Sequence, residues 1–481
     1  MVRTKVVSVW SLLVFVTGFL ISVNGCGGGA SMTTTTPPPT ASQKIQHVVV
    51  IFQENRTPDN LFQDPKLIAA GADIQPPGKN SLGGPPLTPV SLITPYDLAH
   101  THAAFLDMYD GGAMDGASKV PIFCGVNKPP TCAPPNPQFQ YVNPAEVQPY
   151  FQLAETYTFG DRMFQTNQGP SFPAHQYIIS GTSAPSAPPD PTSNLFAAEN
   201  PVGVADPSNH AGCTAPPQVT VKLIDSTNPD PATNETKTMY PCFDHPTLTD
   251  LLKSNNISWR YYAPNAGSIW TAPNAIQHMC GPNVPPPNAT TCTGSDWTGN
   301  VVLTYTQVLT DVASGQLAGV TWVMPDGKTS DHAMVNDGSG PSWVASVVNA
   351  IGGSQFWSNT AIIIAWDDWG GWYDHVSPPQ PLVNSYEYGF RVPLIVVSPY
   401  AKPAYISHVN HDFGSILKFT ETVFNLGTVL PGAGYADERS DDLSDCFDFS
   451  QTPLSFHTIP AKYEASHFLN DKRPPTDPDD D

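Results

Sequence analysis

The chain has 481 residues with 42 acids against 21 bases, a formal net charge of −21, and only 13% charged residues. A surface of that sign repels nucleic acid phosphates and anionic membranes, whose affinity rests on Lys and Arg, so an anionic substrate needs local cations, a metal above all. The 10% of aromatic residues exclude general disorder, while 53 Pro and 36 Gly predict an ordered protein with long, stiff loops.

In chain order, Arg3 and Lys5 precede an apolar stretch over 6–23 and then Val23-Asn24-Gly25-Cys26. Residues 1–26 therefore read as a lipoprotein-type signal peptide with Cys26 the candidate lipidated residue; an ordinary cleaved signal is the alternative. The protein is expected to be exported, as an outer-membrane or cell-surface lipoprotein or as a periplasmic or secreted protein, meeting a membrane only through a lipid anchor. Residues 27–43, rich in Gly, Thr and Pro, are a linker, 44–463 the folded domain and 464–481 an acidic tail. Seven cysteines follow Cys26, which agrees with an oxidising compartment. Three local bridges are predicted, Cys124–Cys132, Cys213–Cys242 and Cys280–Cys292, with Cys446 free and buried; a Cys26–Cys446 pair stays open if Cys26 is not lipidated.

The strongest element is 45–60, IQHVVVIFQENRTPDN. A β-branched run without alternation, Val48 to Phe52, predicts a strand covered on both faces, as in parallel sheets of α/β proteins. Ligands in such sheets sit outside the carboxyl ends of the strands, where Glu54 and Asn55 fall. A Pro-rich loop over 65–89 precedes a helical pattern over 96–109 that carries His100 and His102, and a short helix is predicted over 147–156. In 167–181, NQGPSFPAHQYIISG, Gly169-Pro170 makes a turn and a helix begins near Pro173. Free N–H groups at a helix start suit Ser171 to attack or hold a phosphoryl group; the alternative is an ordinary N-cap serine.

Residues 184–246 read as an irregular insertion stapled by Cys213 and Cys242. Order resumes with a helix over 247–253 and a strand over 257–262. A strand over 317–324 leads to Asp326 and then His332, a helix covers 342–351, and TAIIIAW over 360–366 is a buried strand ending at Asp367-Asp368. A further strand over 391–399 and a helix over 413–426 complete the alternation of an α/β fold. Three strand ends thus carry acids or an acid and an amide: Glu54-Asn55, Asp326 and Asp367-Asp368. Carboxylates converging at one sheet edge repel each other without a cation, so a divalent metal with oxygen ligands is expected. Beside Ser171 it would lower the hydroxyl pKa and polarise a phosphoryl oxygen, with histidines supplying protons to the leaving group.

At these residues the chain resembles a family of bacterial and plant phosphoesterases that includes phosphatidylcholine-type phospholipases C and an acid phosphatase. The resemblance rests on VVVIFQENRTPDNLF, GPSFPAHQYIISGT, TLTDLLKSNNISWRYY, VMPDGKTSDH, AWDDWGGWYDHVSPP and RVPLIVVSPYAK followed by HDFGSILKF, and covers 45–449. It implies an alkaline-phosphatase-like α/β fold, with a mostly parallel central sheet flanked by helices and long Pro-rich loop insertions. It also implies a covalent phosphoryl-enzyme intermediate. Carried over, Ser171 matches the nucleophile, and Glu54, Asn55, Ser171, Asp367 and Asp368 match the metal site, with Asn55 also touching the phosphoryl group. His100, His332 and His375 match histidines near that group, His278 does so in a more irregular stretch, and His102 competes with His100. Asp367-Asp368 stands where the family often has Asp-Glu, which leaves the metal open among Zn, Ca, Mg and Mn. The expected substrate is a phosphate ester, a phospholipid or a small phosphomonoester. Family phospholipases commonly add C-terminal β domains, so this chain is expected to be a compact, phosphatase-like member.

The sequence also offers two other readings. Sulfatases with this fold need Cys/Ser-x-Pro-x-Arg, but Ser171-Phe172-Pro173-Ala174-His175 has His175 in place of Arg. A catalytically inactive, lipid-anchored surface binding module would use Trp259, Tyr261, Trp270, Trp297 and Trp369 as an exposed platform, yet would have no reason to keep Glu54, Asn55, Ser171, Asp367 and Asp368 together.

Overall fold

The computed structural model describes residues 39–125, 131–188, 190–203, 211–381, 386–426 and 435–476. The signal segment with Cys26, most of the linker and the last five residues of the acidic tail lie outside the described residues. The central sheet has eight strands: β1 (His47–Gln53), β2 (Thr158–Phe164), β3 (Trp259–Tyr262), β4 (Val301–Val302), β5 (Val320–Val323), β6 (Thr360–Trp366), β7 (Arg391–Val397) and β8 (Tyr405–Ser407). They lie in the order β4-β3-β5-β1-β6-β7-β2-β8. Every pairing is parallel except those of β7, which runs antiparallel to both β6 and β2. This is the expected α/β architecture with a mostly parallel sheet.

The direction of β7 has a simple cause. The connection 367–390 holds no helix among its described residues, and a crossover is what a parallel return requires. It starts and finishes at the same edge of the sheet, so β7 runs back from there. The strands β1, β2, β5 and β6 all point the other way and deliver their carboxyl ends to that one edge.

β1 sits between β5 and β6, and both β6 and β7 are buried at every residue, as their unbroken apolar runs require. Alternate residues serve opposite faces. Phe52 packs edge-on against Phe413, at the start of the helix Phe413–Phe424, and beside His175. Trp366, one register position on and facing the other way, packs against Tyr150 of the helix Gln148–Thr156 and against Phe62. Helices therefore cover both faces, and each fully buried Val, Ile or Leu contributes about 1.5–3 kcal/mol.

Two stretches depart from the sequence reading. β2, TFGDRMF, has no apolar run, because Asp161 is consumed inside the protein: its carboxylate accepts from Asp73 N at 2.8 Å and meets His408 at 2.8 Å. The insertion expected to be irregular contains a three-stranded antiparallel sheet, Leu195–Ala197, Val221–Asp225 and Lys237–Met239. The three predicted disulfides are present and Cys446 is free and buried. Among the described residues no helix is long and apolar enough to cross a membrane.

The loops after β1 and β6 are clamped by one guanidinium. Arg391, fully buried at the start of β7, donates to Asp374 at 2.9 Å, to Asp59 at 3.3 Å and to the backbone oxygens of Asp73 and Asp161 at 2.6 and 2.8 Å. Burial pushes the Asp374 carboxyl up to about 6 despite this pairing. Removing the guanidinium leaves the buried Asp374 without its partner and Asp59 with His375 alone, and breaking such a buried pair costs about 3–5 kcal/mol. Arg391→Met should therefore lower the unfolding free energy by about that amount in urea titrations; a loss under about 1 kcal/mol would show that the clamp carries no such weight.

Candidate active site

The site grows from the register of β1 and β6. Gln53 stands opposite Trp366, and Asp367 N donates to Gln53 O at 3.0 Å, so the ladder runs one residue further. Glu54 and Asp367 then emerge side by side, both fully buried. Asn55 turns away in the left-handed region at φ 62°, and its N–H donates to Asp367 Oδ1 at 3.1 Å. Gly370 makes this approach possible: it too is left-handed, and a Cβ there would lie 2.6 Å from Asn55 Cβ.

Between β2 and the site runs the 165–170 turn, which ends at Ser171. The helix Ser171–Ser180 begins two residues before the predicted Pro173 and is buried along its whole length. Pro170 occupies the N-cap, the Phe172 N–H is taken by Asn200 Oδ1 at 2.9 Å, and the Ser171 hydroxyl donates to Asp368 Oδ2 at 3.1 Å. Ser171 is therefore not an ordinary capping serine. Asp368 is itself fixed, since its Oδ1 accepts from Gly370 N at 2.7 Å.

One turn along the same helix, His175 points its Nε2 at the two strand-end acids, 3.5 Å from Glu54 Oε1 and 3.7 Å from Asp367 Oδ2. Glu54, His175 and Asp367 offer donor atoms all within 4.8 Å of one another. Phe52 and Trp270 wall the imidazole, and neither of its ring nitrogens has a hydrogen-bond partner. Asp367 Oδ2 and Asn55 Oδ1 are likewise buried without one. Burial alone would raise the Asp367 carboxyl, but His175, Glu54 and Ser171 together hold it below the usual carboxylate range. Buried oxygen and nitrogen atoms aimed at a common centre fit a divalent cation.

Two of the predicted histidines join this cluster. His100 donates from Nδ1 to Leu98 O at 2.9 Å, which leaves Nε2 to accept from Asn55 Nδ2 at 3.2 Å. The His332 ring lies edge-on to it, 5.7 Å between centroids, with Nδ1 held by Ala333 O at 2.8 Å and Asp97 at 3.7 Å. Buried Arg56, directly after Asn55, positions this segment by donating to Asp331 O at 3.0 and 2.6 Å. Burial raises the Asp331 carboxyl to about 6, where it accepts from Tyr150 Oη and Trp366 Nε1.

The structure holds the other predicted histidines elsewhere. His375 is locked between Asp59, at 2.7 Å, and Asp73, at 3.1 Å, next to Arg391. His278 ties Asp244, at 2.6 Å, to Asp250, at 3.4 Å. His102 pairs with Glu235 at 2.8 Å. Asp326 caps the turn Gly327–Thr329 and pairs with Lys328 at 2.7 Å, so the third strand-end acid does not join the cluster. Trp259, Tyr261, Trp270, Trp297 and Trp369 are all buried, which removes the exposed aromatic platform. Sequence reasoning missed His175 and Arg56. The spacing of four from Ser171, which puts His175 on the same side of the helix as Ser171, is the signal that could have found it.

Two cavities, of about 660 and 500 Å³, are lined by none of these residues. A smaller one of about 220 Å³ reaches Pro170 and Asn200, flanking Ser171, with Thr101, Glu199 and Lys222 on its walls.

A mostly parallel α/β sheet with a helix-start serine beside strand-end acids defines a class of phosphoester-handling proteins, and the comparisons place the chain within it. The chain belongs to the Phosphoesterase family, whose family model matches residues 45–427. It is 28% identical over 172 residues to phospholipase C B of Mycobacterium tuberculosis, covering 30% of this chain and 32% of that protein. It is 22% identical over 466 residues to the hemolytic phospholipase C of Pseudomonas aeruginosa, covering 85% of this chain and 56% of that protein. The alignments thus span about a third to a half of these relatives' length. A non-specific phospholipase C4 of Arabidopsis thaliana is 27% identical over 172 residues, covering 29% of this chain and 32% of that protein. Among solved structures, a protein of the alkaline phosphatase superfamily from Vibrio parahaemolyticus is 11% identical at a TM-score of 0.35, covering 85% of this chain and 72% of that one.

The His375 ion network makes stability depend on pH. Burial works against the charged imidazole, but hydrogen bonds to Asp59 and Asp73 overcome it and raise its pKa to about 10, against 6.5 ordinarily. A raised folded pKa stabilises fully below the unfolded value and fades as pH rises through the folded one. The Tm of the parent should therefore fall from about pH 6.5 to about pH 10 more steeply than that of His375→Gln, the two curves converging at the alkaline end. Parallel curves across that window would contradict a charged His375.

Proposed function

We propose that the chain hydrolyses phosphate esters through a covalent phosphoserine at Ser171, with a divalent cation held at Glu54, Asp367 and their neighbours. The observation that carries the reading is the Ser171 hydroxyl. It heads a buried helix, is bonded to Asp368 and not to the backbone, and stands one helical turn from the Glu54–His175–Asp367 cluster.

In the first step Ser171 Oγ attacks phosphorus, its proton passes to Asp368, and the bond from phosphorus to the leaving oxygen breaks. His332 gives that oxygen its proton, held in place through Nδ1 by Ala333 O and lying beside Asp97. In the second step water attacks the phosphoserine, His332 takes the water proton back, and Ser171 recovers its own from Asp368. Asn55, steered by His100, presents its amide to a phosphoryl oxygen, and the positive end of the Ser171–Ser180 helix favours the anion. Glu54, Asn55, Asp367 and Asp368 are the residues to hold the cation, which when bound supplies Lewis-acid stabilisation of phosphoryl charge. His278 and His375 are not assigned a proton-transfer role, since each is tied to two carboxylates of its own.

Phosphate monoesters are the proposed substrates, reached through the cavity beside Pro170. The diester reading is favoured by one observation, that the aligned relatives are named phospholipases C. The three disulfides are consistent with export, and the proposed site of action is the periplasm or the cell surface, with Cys26 as a lipid anchor.

The test is release of p-nitrophenol from its phosphate monoester and from a phosphocholine diester, with and without chelator. Ser171→Ala should lose at least about a thousandfold in kcat while retaining its metal. Turnover near the parent's in metal-loaded Ser171→Ala would sink the phosphoserine reading, and diester-only activity would move the chain to the phospholipase C side.

A further inference from the structure

A second cluster, Asp59, Asp374 and His375, also has the composition of a metal site. It needs no ion, because Arg391 already donates to both acids and His375 carries a proton. The cluster at the nucleophile is different. There the imidazole of His175 is fully buried, bonded to nothing through either nitrogen, and directed at Glu54 and Asp367. A buried imidazole without a hydrogen bond is costly, and the rings of Phe52 and Trp270 beside it offer no acceptor, so its polar neighbours are the two carboxylates.

We propose that His175 is a nitrogen ligand of the cation at this site and restricts it to borderline ions of the Zn²⁺ kind, rejecting Mg²⁺ and Ca²⁺. The inference rests on the metal-dependent reading above and adds to it the class of metal.

Donor chemistry and donor spacing both favour Zn²⁺. Imidazole suits Zn²⁺ and its neighbours, whereas Mg²⁺ and Ca²⁺ select oxygen. A tetrahedral Zn²⁺ with ligands at about 2.0–2.1 Å needs donor atoms about 3.4 Å apart, while octahedral Mg²⁺ at the same bond length needs adjacent donors about 2.9 Å apart. His175 Nε2 lies 3.5 Å from Glu54 Oε1 and 3.7 Å from Asp367 Oδ2, close to the tetrahedral value. Ca²⁺ accepts wider spacing but takes six to eight oxygens, and this centre offers a nitrogen in a closed aromatic wall. His175 adds a nitrogen to the oxygen donors of Glu54 and Asp367, and both donor types are ones Zn²⁺ accepts.

The experiment reads metal content, not turnover. The full chain is stripped with chelator, dialysed against equal concentrations of Zn²⁺, Mn²⁺, Mg²⁺ and Ca²⁺, and its bound metal counted by mass spectrometry, for the parent and for His175→Asn. The parent should come out loaded with Zn²⁺, and His175→Asn, which removes a direct ligand, should lose at least the ~10- to 100-fold in Zn²⁺ affinity that losing an outer partner costs. Cu²⁺-loaded parent should show imidazole nitrogen coupling in pulsed electron paramagnetic resonance, lost in the variant. The parent measurements stand even if His175→Asn fails to fold. A parent that loads Mg²⁺ or Ca²⁺ in preference, or imidazole coupling that survives in His175→Asn, overturns this inference and leaves metal-dependent hydrolysis intact. Hydrolysis by a parent that binds no metal at all would overturn both.

Discussion

Two carboxylates at the ends of neighbouring parallel strands set the conditions for everything around them. Glu54 and Asp367 are forced together by the β1–β6 register, at a place where water does not reach either side chain. Like charges in such a medium cannot remain together uncompensated, because the Coulomb cost rises as the dielectric falls. The surroundings answer this with polar groups: backbone N–H donors on Asp367 Oδ1, from Asn55 and Asp368, and the imidazole of His175 on its other oxygen. Ser171 is delivered to the same spot by a different strand, β2, and meets Asp368 there.

The protein contains the same electrostatic problem twice and treats it in two ways. Around Asp59 and Asp374 the compensation is internal and permanent, a buried guanidinium and a charged His375, and the result is a clamp between loops. Around Glu54 and Asp367 the compensation is looser: the His175 imidazole faces both acids at 3.5 and 3.7 Å, beyond hydrogen-bond reach. A structural network gains from satisfying its members, and the first cluster does so while the second does not. The clamp also serves the centre, because Arg391 and Asp374 pin the connection that begins with Asp367-Asp368.

Much of this was legible along the chain. VVVIF and TAIIIAW announce buried strands because an apolar run with no polar alternation has no solvent face, and the three disulfides join near neighbours in sequence. β2 was not legible, since Gly160, Asp161 and Arg162 break its apolar pattern and only the partners Asp73 and His408 make its polar groups tolerable. The small sheet of the 184–246 stretch escaped for a related reason: its strands are three to five residues long, too short for a period to show. Among the histidines, residue type and neighbourhood could not separate His332, which meets His100 across the site, from His375, whose fate was decided by Asp59 and Asp73 some three hundred residues away.

What the sequence by itself determined is the set of chemical groups and the element on which each rides: acids and an amide at strand ends, a serine at a helix start, an α/β alternation that sends strand ends to one edge. Those follow from local physics, since burial patterns, turn residues and helix starts are properties of short stretches. Which groups meet was decided only in three dimensions. The register of β1 on β6 joined Glu54 to Asp367, the return of β7 brought Arg391 to Asp59 and Asp374, and the helix from Ser171 turned His175 toward the two strand-end acids while Asp326 was diverted to cap a turn. Pairing across hundreds of residues depends on packing and on charge compensation between distant segments, and neither leaves a trace in any single stretch of chain.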